Sequence, residues 1–330
     1  MTDTNEEGAN GRRSLVVVTP CYNEEAVIER FHEKLVAELA VLEDLDFRVL
    51  FVDDGSTDGT LARLNALRER DPRVLVVSLS RNFGHQIALS AGLSRASADA
   101  VVLMDSDLQH PPSTIPRLVE EWRKGHDVVS AVRTQTADGS FLKNLNSKLF
   151  YWLIGKLSDT PIVPGAADFC LLSRRAHQAL LSMPERHRFL RGMVSWVGYP
   201  RALVYYVAPA RAAGQSSYDF RRMVGLAFDA VFSFSVTPIR IMRRLGLVIT
   251  TLGLLYLVYI FLRAFTIGDL EPGWGSVIST ILILGGLQLV FMGVIGEYLA
   301  RVFEEVKARP LFLLKQDAID ESGNEDREAE

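Results

Sequence analysis

Apolar and polar positions change period along the 330 residues. Short β-branched or apolar runs recur at Leu15 to Thr19, Arg48 to Val52, Val74 to Leu79, Ala100 to Met104 and Asp127 to Val132. Between them, Glu25 to Leu42 and Leu61 to Arg70 place apolar residues three and four apart with charged faces opposite. The runs read as buried strands and the intervening stretches as amphipathic helices. Regular alternation of the two predicts βαβ units, and so a mostly parallel α/β sheet flanked by helices.

Downstream the pattern becomes continuously apolar. Leu245 to Leu262 is eighteen residues without a charge, and Pro272 to Gly296 is twenty-five, bounded by Glu271 and Glu297. A helix rises about 1.5 Å per residue and the hydrocarbon layer is about 30 Å thick, so both runs are long enough to span. Joined by a short polar loop, they predict a two-helix transmembrane hairpin. Arg240, Arg243 and Arg244 precede it, and Arg301, Lys307 and Arg309 follow it, which places both ends in the cytoplasm. The loop from Arg263 to Ser276 sets one Arg against Asp269 and Glu271, as expected of the translocated side. Ahead of the hairpin, Met223 to Phe234 follows Arg221-Arg222 and carries Phe228 and Phe232 on one face, the pattern of an interfacial helix. The first apolar run, Leu15 to Val18, is too short for a signal-peptide core, so no cleavable leader is expected.

Charge refines this picture. The formal net charge is −4, but Asp317 to Glu330 alone carries −6, leaving +2 on the remainder. So acidic a tail has little apolar surface to bury and is expected to be disordered. Positive charge gathers from Arg201 to Arg244, seven arginines against two aspartates, directly before the apolar runs. Its position favours anionic lipid or a lipid phosphate over nucleic acid. Cys21 and Cys170 have no Cys or His at zinc-site spacing and no nucleophile partners, and read as ordinary residues of a reduced, cytosol-facing domain.

Candidate chemistry lies where the first four strands end. The loops are Pro20-Cys21-Tyr22-Asn23-Glu24-Glu25, Asp53-Asp54-Gly55-Ser56, Ser80-Arg81-Asn82-Phe83-Gly84-His85-Gln86 and Asp105-Ser106-Asp107-Leu108-Gln109-His110. In a parallel sheet these emerge at one edge, where ligand crevices form. Asp105 and Asp107, just past a strand, converge on a hard cation such as Mg²⁺ or Mn²⁺ carrying a diphosphate. Gly-x-Gly-x-x-Gly and the phosphate-loop pattern are both absent, which disfavours a nicotinamide cofactor or a nucleotide triphosphatase. His85, His110 and His187 read as hydrogen-bonded structure rather than ligands, and Trp196 and Tyr199 as packing residues.

With these motifs in this order, and with Gly296-Glu297-Tyr298-Leu299 and Glu304-Glu305-Val306-Lys307 following, the chain resembles the family 2 inverting glycosyltransferases over roughly residues 14 to 315. Within them it is similar to the polyprenyl-phosphate glycosyltransferases, such as bactoprenol glucosyltransferases and dolichol-phosphate mannose synthases. The resemblance implies a GT-A-type catalytic domain over 14–220, between a flexible terminus over 1–13 and a juxtamembrane region over 221–244. Two transmembrane helices over 245–300, a cytoplasmic helix over 301–316 and the acidic tail over 317–330 would follow.

It also implies roles. Pro20, Tyr22, Glu24, Asp53, Asp54, Gly84, Gln86 and Asp105 would bind the nucleotide-sugar donor, and Asp105, Asp107 and Gln109 the metal. Asp168, in Ala167-Asp168-Phe169, would be the candidate base beside sugar and acceptor, and Asp107 the second catalytic carboxylate. Arg133 and Lys143 would meet the lipid phosphate, and Arg211 both donor diphosphate and acceptor phosphate. The family usually carries a lysine after the glycine matching Gly214, where this chain has Gln215-Ser216-Ser217, so one phosphate cation is missing.

The expected reaction is transfer of a sugar, UDP-glucose being the first donor considered, to polyprenyl phosphate with inversion, by a membrane-bound homo-oligomer. UDP-N-acetylhexosamine, a UDP-linked aminopentose and GDP-mannose remain open as donors. A phosphate monoester has a second pKa near 6 and is already nucleophilic at neutral pH, so Asp168 could orient the acceptor rather than take a proton. A processive polysaccharide synthase would require a Gln-x-x-Arg-Trp sequence, which is absent. A non-catalytic nucleotide-sugar sensor is the alternative of a different class.

Overall fold

A computed structural model describes residues 12–134, 166–207, 237–267 and 273–317. They fall into two compact units, one of 12–134, 166–207 and 310–317 and the other of 237–267 and 273–309. The expected interfacial helix, Lys143, Arg211, Ser217 and nearly all of the acidic tail lie outside the described residues.

The first unit is built on eight strands: β1 (Arg13–Cys21), β2 (Leu45–Asp53), β3 (Val74–Leu79), β4 (Ala100–Leu103), β5 (Val128–Arg133), β6 (Ala166–Ser173), β7 (Arg201–Tyr206) and β8 (Leu314–Asp317). Six helices accompany them: α1 (Ile28–Leu39), α2 (Thr60–Arg70), α3 (His85–Arg95), α4 (Ile115–Arg123), α5 (Arg174–Leu181) and α6 (Leu190–Trp196). The strand order is β7-β5-β6-β4-β1-β2-β3-β8. The five strands expected from the sequence are all present, and β1 to β4 form a continuous parallel block.

The sheet is mixed, with four parallel pairings and three antiparallel ones. β6 inserts between β4 and β5 and runs against both, and β8 runs against β3 at the edge. β6 escapes the pattern because Asp168 interrupts its apolar run. β8 is a four-residue edge strand of mixed polarity, a common way to blunt an exposed edge. A helix expected over 301–316 stops at Lys307, because Ala308 turns left-handed at φ 48° and Pro310 cannot continue it. The chain then pairs as β8, with Ser80 N–H donating to the Leu313 carbonyl at 2.8 Å.

Both faces of the parallel block are covered, which is why its strands read as unbroken apolar runs. Leu15, Val17, Val49 and Phe51 share one core with Phe31 and Leu35 of α1, Leu64 of α2 and Leu118 of α4. Val18 and Val52 face the other side, against α3. There α3 lies so close that a methyl group at Gly92 would fall 2.2 Å from Val18 Cγ1 and 2.9 Å from Val52 Cγ2. This seating delivers the first turn of α3 to the carboxyl edge of the sheet.

The second unit holds α7 (Thr237–Ile267) and α8 (Trp274–Lys307), of 31 and 34 residues. They touch where Gly246 faces Phe291, a Cβ at the glycine lying 4.0 Å from the ring. Leu284–Lys307 is long and apolar enough to cross a membrane, with mean hydropathy 1.3 and no part of it buried. Leu247 and Leu289 are each 70% exposed, an outward apolar surface unlike that of a soluble core helix.

Gly92→Ala is predicted to overpack the α3 seat and cost about 1–3 kcal/mol, seen as a lower thermal midpoint of the full chain in detergent. Val18→Ala in the same chain should restore part of the loss. An unchanged midpoint for Gly92→Ala would contradict the close seating.

Candidate active site

The four polar loops expected at one edge do meet there, and hydrogen bonds stitch them into a closed ring. From the β1 loop, Asn23 N–H donates to Ser56 Oγ at 3.0 Å, Asn23 Oδ1 accepts from Thr57 N–H at 2.9 Å, and Glu24 N–H donates to Thr60 Oγ1 at 2.8 Å. Next, Asp54 after β2 accepts from the main-chain N–H groups of Phe83 and Gly84, at 2.8 and 2.9 Å. His85 Nε2 then reaches Asp105 Oδ1 at 2.7 Å. Ser106 Oγ closes the ring by donating to the Pro20 carbonyl at 3.0 Å. Gly55 lets two of the loops cross: its φ is +68°, and a Cβ there would sit 2.4 Å from the Arg81 carbonyl carbon. No side chain fits.

A second cluster adjoins the ring through β6. Asp168, 7% exposed, receives a fork from Arg191 of α6, with Nε at 2.8 Å from Oδ1 and Nη2 at 3.1 Å from Oδ2. Gln86 Nε2 donates to the same Oδ2 at 3.1 Å, and its Oε1 accepts from Leu190 N–H at 2.9 Å. Such a bidentate, charge-assisted arrangement holds a carboxylate rigidly. Neither Arg191 nor His85 stood out in the sequence. Arg191 lies 23 positions from Asp168 and outside every recognised motif, so it gives no local signal, and His85 read as structure.

The expected site residues therefore divide by environment. Tyr22 and Asp107 are exposed, Glu24 and Gln109 half-buried, and Pro20 buried. Asp53 is fully buried and accepts from Ser56 N–H at 3.1 Å and Ser78 Oγ at 2.8 Å. Asp54 and Gln86 spend their polar atoms within the protein, as loop and cluster supports. Arg133 ends β5 at the same edge and is exposed. Gln109 donates its main-chain N–H to Asp107 Oδ1 at 2.9 Å and its side-chain amide to Oδ2. Trp196, expected to pack, is instead 65% exposed at the end of α6. Tyr199 lies under the Arg175 guanidinium, 4.4 Å from the ring centre. Both cysteines are buried, free thiols.

The carboxylates at this edge are perturbed in opposite directions. Burial pushes the Glu24 carboxyl up, and repulsion from Asp107, Asp58 and Asp105 pushes it further. Burial would also raise Asp105, but the His85 hydrogen bond and the nearby Arg191 guanidinium bring it below the usual carboxylate range. Burial lowers His110, with Asp105, Asp107 and Asp168 opposing. Its Nδ1 accepts Asp105 N–H at 3.1 Å, so the neutral imidazole is the form that fits, stacked 5.0 Å from Phe169.

Among the described residues no group of three or more His, Cys, Asp or Glu side chains forms a ready-made metal cluster. Asp105 and Asp107 nonetheless fit a hard divalent ion. Mg²⁺ in particular takes one or two carboxylates and completes its shell with water and substrate phosphates rather than an all-protein cage.

A mixed α/β sheet flanked by helices, with a polar, carboxylate-rich ring at the carboxyl ends of its parallel strands, is an architecture of the GT-A-like kind. Residues 16–181 match the glycosyl transferase family 2 model, and residues 237–302 match the GtrB C-terminal hairpin. The chain belongs to glycosyl transferase family 2. An uncharacterized glycosyltransferase of Synechocystis sp. is 41% identical over 300 residues, covering 91% of this chain and 94% of the relative. The SfII prophage-derived bactoprenol glucosyl transferase of Shigella flexneri is 38% identical over 302 residues, covering 92% and 97%. Among solved structures, the mannosyltransferase PcManGT from Pyrobaculum calidifontis, in complex with GDP-Man and Mn²⁺, aligns with a TM-score of 0.47 at 17% identity, covering 91% of this chain and 88% of that one.

Asp54→Asn would turn an amide N–H₂ toward one of the two main-chain donors it now accepts from. The expected cost is about 1–3 kcal/mol, with faster hydrogen exchange at Phe83 and Gly84. Exchange at wild-type rates would show that the Asp54 carboxylate is not what holds this loop.

Proposed function

We propose that the protein transfers a sugar from a nucleotide diphosphate, UDP-glucose first among the donors, to polyprenyl phosphate at the cytoplasmic face of the membrane, with inversion. The observation that carries this reading is the ring of loops around Asp105 and Asp107, whose crowded carboxylates call for a cation at the sheet edge. The relatives named bactoprenol glucosyl transferases support the lipid acceptor.

Asp105 and Asp107 would hold the divalent cation, with Gln109 steadying Asp107 or joining it as a ligand. When bound, the ion acts as a Lewis acid on the departing diphosphate. Pro20, Tyr22, Glu24 and Asp53 line the nucleoside side of the ring, and Asp54 and Gly84 shape its floor. Arg133, Lys143 and Arg211 supply positive charge for the phosphates, Arg211 for donor and acceptor alike. The acceptor phosphate is largely dianionic at neutral pH and needs no strong base. Asp168, already holding the Arg191 fork and the Gln86 amide, therefore orients the acceptor and favours positive charge developing at the anomeric carbon. Attack in line with the departing diphosphate inverts that carbon.

α7 and α8 form the membrane anchor in this reading, at about 1.5 Å per residue each longer than the hydrocarbon layer. Basic residues before α7 and after the apolar part of α8 place both termini and the transferase domain in the cytoplasm. The lipid-linked product would serve cell-envelope glycosylation, and the protein would work as a homo-oligomer.

Full-length protein in detergent, given Mn²⁺, undecaprenyl phosphate and a panel of radiolabelled nucleotide sugars, should move label from one donor into the organic phase. Asp107→Asn should reduce that transfer by at least 100-fold. Nucleotide-sugar binding without transfer from any donor would favour a sensor instead.

A further inference from the structure

His85 and Gln86, consecutive at the start of α3, join the two carboxylate clusters in a single chain of hydrogen bonds. It begins at a main-chain group: Leu190 N–H donates to Gln86 Oε1 at 2.9 Å. This fixes the amide, so its nitrogen faces Asp168 Oδ2 at 3.1 Å and His85 Nδ1 at 3.4 Å. The opposite imidazole nitrogen, Nε2, lies 2.7 Å from Asp105 Oδ1. An ionised carboxylate only accepts, so Nε2–H is the donor.

One oxygen of Asp105 is thereby taken. The other, Oδ2, lies 3.5 Å from His110 Nδ1. That nitrogen accepts Asp105 N–H at 3.1 Å and has no proton to offer Oδ2. Oδ2 is thus the Asp105 oxygen left for a cation.

We propose that His85, steadied by Gln86, is a positioning residue for the divalent cation: it locks Asp105 so that Oδ2 ligates, and ties that carboxylate to the Asp168–Arg191 pair. The inference rests on the cation in the function proposed above. Hydrogen-bond partners that orient a metal-ligating carboxylate commonly carry a tenfold or larger share of metal affinity. Here the orientation is inherited from the α6 backbone through Gln86, so cutting the chain at a distance from the cation should also weaken its binding.

The test is a Mn²⁺ titration of the full chain in detergent with saturating UDP, reading free Mn²⁺ by electron paramagnetic resonance. His85→Phe is expected to weaken Mn²⁺ binding roughly 10- to 100-fold. His85→Gln keeps an amide donor and should lose less. Gln86→Leu, which touches neither Asp105 nor Asp107, should fall on the same side as His85→Phe. UDP affinity without metal should stay at the wild-type value in all three, which a collapsed fold would not allow. Mn²⁺ affinity unchanged in both His85→Phe and Gln86→Leu, or a parallel loss of metal-free UDP binding, overturns the inference while leaving the proposed function standing. Failure of the wild-type protein to bind Mn²⁺ with UDP removes the cation itself, and the inference with it.

Discussion

At Gly92 the α3 backbone approaches β1 and β2 closely enough that even a methyl group would overlap Val18. The helix is thereby pressed onto the sheet at a fixed height, and its first turn lands among the strand ends. Phe83 and Gly84 then meet the Asp54 carboxylate, His85 meets Asp105, and Gln86 meets Asp168. Three of the carboxylates at the sheet edge are placed by contacts with this one helix start. Shifting α3 outward by a methyl radius would lengthen every one of those bonds together.

Around that seat, charge is arranged unevenly. Asp168 is buried but neutralised by a guanidinium fork, and Asp54 is buried but satisfied by two main-chain donors. Asp107 is exposed and accepts from the Gln109 main-chain N–H and side-chain amide. Burial, and then repulsion from Asp107, Asp58 and Asp105, holds the Glu24 carboxyl above its ordinary range. Burying a carboxylate without compensation is costly. Where compensation is complete the residues act as scaffold, and the less compensated Asp107 lies where the proposed cation and diphosphate would sit.

How much of this was legible in the sequence follows from which interactions are local. β1 to β4 announced themselves because both faces of the parallel block are covered and their apolar runs are unbroken, and β5 because it too is buried along nearly its whole length. The loops were legible for a related reason: polar residues directly after buried strands have only one edge to occupy. β6 and β8 were not, since Asp168 breaks one run and the other is a short edge strand. Arg191 stayed hidden because its partner lies 23 positions away and only the fold brings the fork to Asp168. The expected donor-binding roles of Asp54 and Gln86 looked the same from sequence as the supporting contacts they make. A carboxylate that binds a ligand and one that binds a neighbouring loop carry the same letter.

The central claim is that Asp105 and Asp107 bind a nucleoside diphosphate through a shared cation. Calorimetric titration of UDP into the full chain, with Mn²⁺ and again with a chelator, tests it most directly. The account predicts that Mn²⁺ tightens UDP binding at least tenfold in the wild type, and that the Asp105→Asn, Asp107→Asn double variant shows no such gain. Equal UDP affinity with Mn²⁺ and with chelator, in both proteins, would contradict it.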